Sequence, residues 1–267
     1  DEVCGEVPFL TYPLFEKTGV VKSAFSTRIG GVSKGCYESM NLSFDRGDDK
    51  DAVMENFQRI ASAIGTNCHD MVLSRQTHTA NVRVVTEEDK GKGIVRERDY
   101  TDVDGLVTNV PGICLVTSYA DCVPLYFVDP IKKVIGLSHS GWRGTVGKIG
   151  KETVRVMKEH FGCDPADILA AVGPSICQDC YEVSEDVILE FQKAFAEKKI
   201  GIICFTEKTM ENISLIYGKQ TNRFFGNRES ARNILRSRMS VRIAIARSYI
   251  HIGRQVISGE ICARFLH

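Results

Sequence analysis

The sequence has no excess of charge of either sign: 34 basic and 34 acidic side chains cancel over 267 residues. This argues against a general polyanion binder, so nucleic acid is not an expected partner, although a local basic patch stays open. No stretch comes near the ~18 uninterrupted apolar residues of a membrane-spanning helix. The opening DEVCGEVPFL lacks the basic-then-apolar layout of a secretory leader. Ten cysteines are too few for a disulfide scaffold, and without an export signal reduced thiols are expected. Seven scattered prolines mark no linker, and no repeat or low-complexity tract divides the chain. What is there is an ordinary globular composition, 43% apolar and 25% charged, which excludes a disordered or collagen-like chain. The expectation is a cytoplasmic α/β protein folded as a single domain over residues 1–267.

Strands and helices interleave along it. Residues 20–28 (VVKSAFSTR) read as a strand ending at the Gly30-Gly31 turn. Residues 51–65 place Val53, Phe57, Ile60, Ala61 and Ile64 at helical spacing, with Gly65 as a stop. Strands are predicted at 70–75, 80–86, 104–108, 113–119, 123–128 and 133–139, separated in part by turns at Pro111-Gly112 and Asp129-Pro130. A helix is predicted over 145–162, a buried strand over 167–174, and a helix from Ser184 to about residue 198, with acidic residues in its first turn. Residues 221–267 differ: nine arginines, no lysine and two glutamates give a charge of +7 against −7 for the rest. A basic arm for phosphate or nucleic acid, an Arg-rich helix face near ARNILRSRMSVR, and an aberrant tail sequence all fit so abrupt a change.

Histidine and cysteine recur at predicted strand ends, where α/β folds gather functional groups. His78 follows the 70–75 strand, Cys122 lies between two apolar strands, and His139 closes a strand just before a helix. Two imidazoles and a thiolate are the donors of a three-ligand catalytic zinc site, with a fourth position for water or substrate. A metal there lowers the pKa of bound water toward neutrality. Taken singly, each residue reads as a hydrogen-bonded histidine or a packed cysteine, and their spacing is no metal signature. The segment GWRGTVG (141–147) opens the predicted helix and, with Arg143, offers an anion a helix N-terminus. It is neither a Walker A nor a dinucleotide motif, and a tight turn with a surface arginine is the equal alternative. Arg28 in STRIGGVS (26–33) belongs to a second such turn. Asp121, beside Cys122, reads as a general base, an orienting partner or a turn residue. Cys177 and Cys180 form a CxxC with no partner pair.

Running in order over roughly residues 20–190, STRIGGVS, NLSFDRGDD, ENFQRI, RQTHTANV, DGLVTNVPGICLVTSYADCVPLYFVDP, GLSHSGWRGTVGKI and VGPSICQDCYEV resemble the YfiH/YlmD-like family. Its members are often labelled polyphenol oxidase or laccase-domain proteins. The resemblance implies an α/β fold of layered mixed β-sheets flanked by helices, in a CNF-like α-β-β-α order. It implies a zinc site from His78, Cys122 and His139. The implied activity is purine nucleoside phosphorolysis of adenosine, inosine, guanosine or methylthioadenosine, alongside deamination of adenosine. Carried onto matching positions, Arg28, Asn41, Gln76 and Arg143 become candidates for substrate and phosphate contacts, with Arg143 and Asp121 as the catalytic candidates. The implied partners are purine nucleosides and phosphate, and the chain is read as a monomer or weak dimer.

Two departures stand out. Asp179 replaces a cysteine common before CYEV, and IAIARSYIHIGRQVISGEICARFLH replaces the family's usual Cys-Thr-x-Cys and aromatic–Arg-rich ending, so no site residue is assigned there. Other readings remain. Six histidines, His267 included, are too few for an electron-transfer copper plus a three-copper cluster. The His₂Cys set nevertheless suits adventitious Cu²⁺ with some polyphenol oxidase activity. Cys122 as nucleophile with His139 as base would make a cysteine hydrolase. A non-enzymatic partner-binding role for the basic tail ranks last.

Overall fold

A computed structural model of the chain describes residues 7–176, 180–195, 205–209, 212–215 and 257–263. Strand β1 (Phe9–Leu10), helix α1 (Pro13–Glu16) and strand β2 (Val21–Ser26) lead to helix α2 (Lys50–Ile64). Then come β3 (Met71–Leu73), β4 (Val82–Val84), β5 (Gly105–Thr108), β6 (Cys114–Tyr119), β7 (Val123–Asp129) and β8 (Val134–Ser140). Helices α3 (Trp142–Val146) and α4 (Ile149–Phe161) precede β9 (Leu169–Val172), β10 (Glu182–Val183) and α5 (Glu185–Ala194). The last strands described are β11 (Phe205–Thr209), β12 (Asn212–Leu215) and β13 (Ile257–Ala263). One sheet has the order β1-β2-β13-β6-β3 and a second the order β4-β5-β8-β7-β9, while β10, β12 and β11 form a small third sheet. β3–β6 and β4–β5 are parallel pairs in otherwise antiparallel sheets, so both large sheets are mixed.

Period-two alternation builds the layers. In β6, Cys114 and Val116 join the core beneath α2, whereas Leu115 joins the core between the sheets. In β7, Tyr126 and Val128 meet Leu115, while Leu125 and Phe127 pack with Ile149 and Met157 of α4 and Phe191 of α5. The order is therefore α2, sheet, sheet, then α4 with α5, the α-β-β-α stack expected. All seven residues of β7 and of β8 are buried. Strands covered on both faces read as continuous apolar runs, which is why these two were plain in the sequence.

Local signals set the helix ends. Asp49 caps α2 by accepting from the Asp51 amide, and Gly65 ends it in the left-handed conformation at φ 75°. The helix predicted over 145–162 is two helices instead. Lys148 turns left-handed at φ 61° between α3 and α4, which ends one run of helical hydrogen bonds before the next begins. Cys114 is disulfide-bonded, a departure from the reduced thiols expected, whereas Cys36, Cys68, Cys122, Cys163 and Cys180 are free. Among the described residues no helix is long and apolar enough to cross a membrane. Cys177, Asp179 and the 221–267 tail lie outside the described residues, apart from β13, which pairs with β2 and β6.

The STRIGGVS loop is fixed by one buried side chain. Asn56 of α2 accepts the Val32 amide at 2.8 Å and donates to Ser33 Oγ at 2.9 Å and to the carbonyls of Asn41 and Ser39 at 2.9 and 3.2 Å. Gly31 is required beside it, because a Cβ there would lie 2.0 Å from the Ser39 carbonyl oxygen. Replacing Asn56 with Ala strands several buried polar groups, each worth roughly 1–3 kcal/mol. Asn56→Ala should therefore lower unfolding free energy by about 2–4 kcal/mol in a urea titration. A loss well under 1 kcal/mol would show that the loop re-satisfies its own backbone.

Candidate metal centre

Strand register places the chemistry. The β7–β8 pairing sets Pro124 opposite His139 and Val123 opposite Ser140, so Cys122, one residue earlier, falls beside the end of β8. The β5–β8 pairing sets Gly105 opposite Ser138, and the His139 amide donates to the Asp104 carbonyl at 2.7 Å. His78 comes from the turn between β3 and β4, its ring edge-on to that of His139 with centroids 5.0 Å apart. The ligand atoms of His78, Cys122 and His139 all lie within 4.8 Å of one another, the only such cluster among the described residues.

Asp104, which nothing in the sequence singled out, holds this cluster together. Its side chain is 0% exposed, and Oδ1 lies 2.8 Å from His139 Nδ1. The carboxylate also accepts the amides of Thr77, His78 and Thr79 at 3.1, 3.0 and 2.8 Å and the Thr79 hydroxyl at 2.9 Å. Burial pushes its carboxyl pKa up. The bonds from His139 and from the Thr79 and Thr77 amides outweigh this and hold it below the usual carboxylate range. An ionised Asp104 keeps the His139 proton on Nδ1 and leaves Nε2 with a lone pair for a metal. The same carboxylate pins the turn in which His78 takes φ 66°, a left-handed conformation uncommon outside glycine.

The other two donors are tuned by their surroundings. Burial, then the charges of Asp121 and Asp104, push the Cys122 thiol up to about 12, so a thiolate here needs a cation beside it. Burial foremost, with His139 and Arg143 assisting against Asp104, lowers the His78 pKa and favours the neutral, ligating imidazole. The glycines of GWRGTVG serve packing. A Cβ at Gly141 would lie 2.8 Å from His78 Cδ2 and 3.1 Å from Cys122 Sγ, and one at Gly144 would lie 3.2 Å from the Thr79 carbonyl oxygen. α3 has only five residues, and these contacts account for the glycines around it. Two imidazoles and a thiol, with one imidazole oriented by a carboxylate, fit a divalent zinc or copper ion.

The centre opens on a cleft of about 480 Å³, a size usual for small-molecule sites. Of the candidate residues, Gln76, His78, Asp121, Cys122 and His139 line it, whereas Arg28, Asn41 and Arg143 do not. Arg28 is exposed, and its carbonyl accepts the Ser39 and Met40 amides. Asn41 is buried and binds Asp48 Oδ2 at 2.9 Å and the Ser43 amide at 3.2 Å. Arg143 is exposed, with its guanidinium over the Trp142 ring at 4.3 Å. Gln76 uses both ends of its amide on Ser118, donating to the carbonyl at 2.6 Å and accepting the amide at 2.8 Å, which ties the His78 turn to β6. The cleft is also lined by Phe44, Arg46, Arg75 and Arg98, which sequence reasoning missed.

The sequence matches, over residues 22–224, a family model described as multi-copper polyphenol oxidoreductase laccase. The chain belongs to this family. Within the laccase family, purine nucleoside phosphorylase YlmD of Bacillus subtilis (strain 168) is 40% identical over 172 residues, 63% of this chain and 61% of YlmD. Adenosine deaminase RL5, from an unknown prokaryotic organism, is 40% identical over 182 residues, 67% of this chain and 69% of RL5. The crystal structure of YlmD from Geobacillus stearothermophilus superposes with a TM-score of 0.77 at 27% identity, covering 99% of this chain and 98% of that one. The chain thus aligns with less than two thirds of the B. subtilis relative's length. The family match ends at residue 224, close to the start of the lysine-free segment at 221.

Two substitutions test the centre. Asp104→Asn keeps the shape and removes the charge that orients His139, and should weaken metal binding about 10- to 100-fold in a chelator competition. Gly141→Ala should weaken it as well, because its methyl displaces His78 and Cys122. Unchanged affinity in both, with unchanged circular dichroism, would show that the ligand turns are set without these contacts.

Proposed function

We propose that this chain is a zinc-dependent purine nucleoside phosphorylase that also deaminates adenosine, acting on adenosine, inosine, guanosine or methylthioadenosine in the cytoplasm as a monomer or weak dimer. The observation that carries this reading is the His78–Cys122–His139 cluster at the wall of a nucleoside-sized cleft. The names of the relatives YlmD and RL5 support the two reactions.

Zinc held by these three residues would supply Lewis acidity to the bound substrate. The chain's own residues bind, orient and move protons. Asp104 fixes the tautomer of His139 and the turn of His78. Cys122 would hold the ion as a thiolate. Tyr119, whose ring centroid lies 5.6 Å from that of His139, walls the cleft, its hydroxyl donating to the Ser138 carbonyl at 3.2 Å. Leu42, Phe44 and Leu73 give the cleft apolar surface suited to a purine face. In phosphorolysis a phosphate oxygen forms a bond to the anomeric carbon as the glycosidic bond breaks. The bonding pair leaves with the purine, giving free base and ribose 1-phosphate. Asp121, exposed beside Cys122, is the candidate to move the proton this requires, and Arg143 adds positive charge near His78.

The thiol shift bears on the cysteine-hydrolase alternative: between two carboxylates, Cys122 is a poor free nucleophile and a good partner for a cation. The oxidase alternative has a single candidate metal cluster among the described residues. The test is to incubate metal-analysed protein with adenosine or inosine, with and without phosphate. Free base and ribose 1-phosphate should form only with phosphate, with about one zinc per chain. Cys122→Ala and His139→Ala should abolish zinc and turnover together. Full activity in either variant would refute a metal-centred mechanism.

A further inference from the structure

The cleft that reaches the metal cluster also holds more positive charge than its partners neutralise. Arg75 Nη1 lies 2.5 Å from Asp45 Oδ2 and Arg98 Nη2 lies 3.8 Å from the same oxygen, so two guanidiniums share one carboxylate. Arg46 lines the same cleft. The Arg98 side chain is only 18% exposed, and its Nη1 donates to the Ser74 carbonyl at 2.7 Å, which fixes its direction. Arg75 is held by its backbone, its carbonyl accepting the Val103 amide at 2.9 Å, and Gln76 next to it is clamped to Ser118. Asp45, by contrast, is 63% exposed and is the most easily displaced member of the set.

Resting on the phosphorolysis reading, we propose that Arg75 and Arg98 form the anion subsite of the cleft and take a phosphate group there in place of Asp45. The group is free phosphate or the 5′-phosphate of a phosphorylated nucleoside. Two guanidinium forks that meet at one carboxylate oxygen, Arg98 held by Ser74 and Arg75 43% exposed and free to adjust, suit the several oxygens of a phosphate better than that single shared oxygen. Both arginines line the cleft that reaches His78, Cys122 and His139, whereas Arg28 and Arg143 do not. Arg75 and His78 also leave one short turn held at both ends, by Gln76 and by Asp104. The subsite is thereby set at a fixed distance from the metal ligands.

The test is equilibrium binding, by isothermal titration, of inorganic phosphate and of adenosine 5′-monophosphate to the zinc-loaded protein, followed by steady-state phosphorolysis. Arg75→Gln and Arg98→Lys should each weaken phosphate binding and raise the phosphate KM about 10- to 100-fold, while the KM for inosine moves less than about three-fold. Asp45→Asn, on the exposed loop, removes the competing carboxylate and should tighten phosphate binding about three- to ten-fold. If instead only the monophosphate loses affinity in the arginine variants, the subsite holds and its ligand is the ester. Equal binding of both anions by all forms, or weaker phosphate binding in Asp45→Asn, would overturn the assignment. Binding is read without turnover, so phosphate held by these arginines in a protein that phosphorolyses nothing would refute the proposed function alone.

Discussion

A single buried carboxylate, that of Asp104, sets the geometry on which the candidate site depends. A charge removed from water is costly unless hydrogen bonds replace its hydration. Asp104 receives three consecutive backbone amides, a threonine hydroxyl and an imidazole. These donors come from two places, the turn after β3 and the end of β8, while Asp104 itself stands at the start of β5. Satisfying the carboxylate therefore draws both histidines to one point. The left-handed backbone of His78 and the oriented ring of His139 are two results of the same charge.

Parts of this were legible in the sequence and parts were not, for physical reasons. β7 and β8 announce themselves because both faces are covered, and α2 because its apolar period lies between an aspartate cap and a glycine stop. The break between α3 and α4 was hidden, since a lysine at positive φ leaves no composition signal. The three metal-type residues were visible as residue types at strand ends, but only the family resemblance bound them into one site. Asp104 precedes a glycine, as many turn aspartates do, and nothing local says that five donors converge on it. Asn41 shows the converse: motif membership does not tell which way an amide faces, and this one binds Asp48 of its own loop. Arg75 and Arg98 lie in loops, where no periodicity marks them.

The cleft brings together two chemically distinct sets of groups. One offers soft and borderline donors, a thiol and two imidazoles, beside acidic Asp104 and Asp121. The other offers hard hydrogen-bond donors on guanidinium planes, and Phe44 and other apolar side chains line the same cleft. Such polarity suits a substrate with an apolar ring and a separate anionic or hydroxylated part. It sits uneasily with the electron-transfer chemistry in the family's description, which calls for several metal ions in relay.

The turn carrying His78, the start of β5, the approach to β7 and the end of β8 meet only when the second sheet is assembled. No single strand or turn contains the centre. Metal affinity and conformational stability are consequently one thermodynamic quantity seen from two sides: an ion that binds the native cluster withdraws population from the unfolded ensemble by mass action. The effect is blunted because the unfolded chain, with its free cysteines and six histidines, is itself a loose chelator. With a metal bound there, tolerance of mutation in the distant core would be tied to the concentration of free metal around the protein.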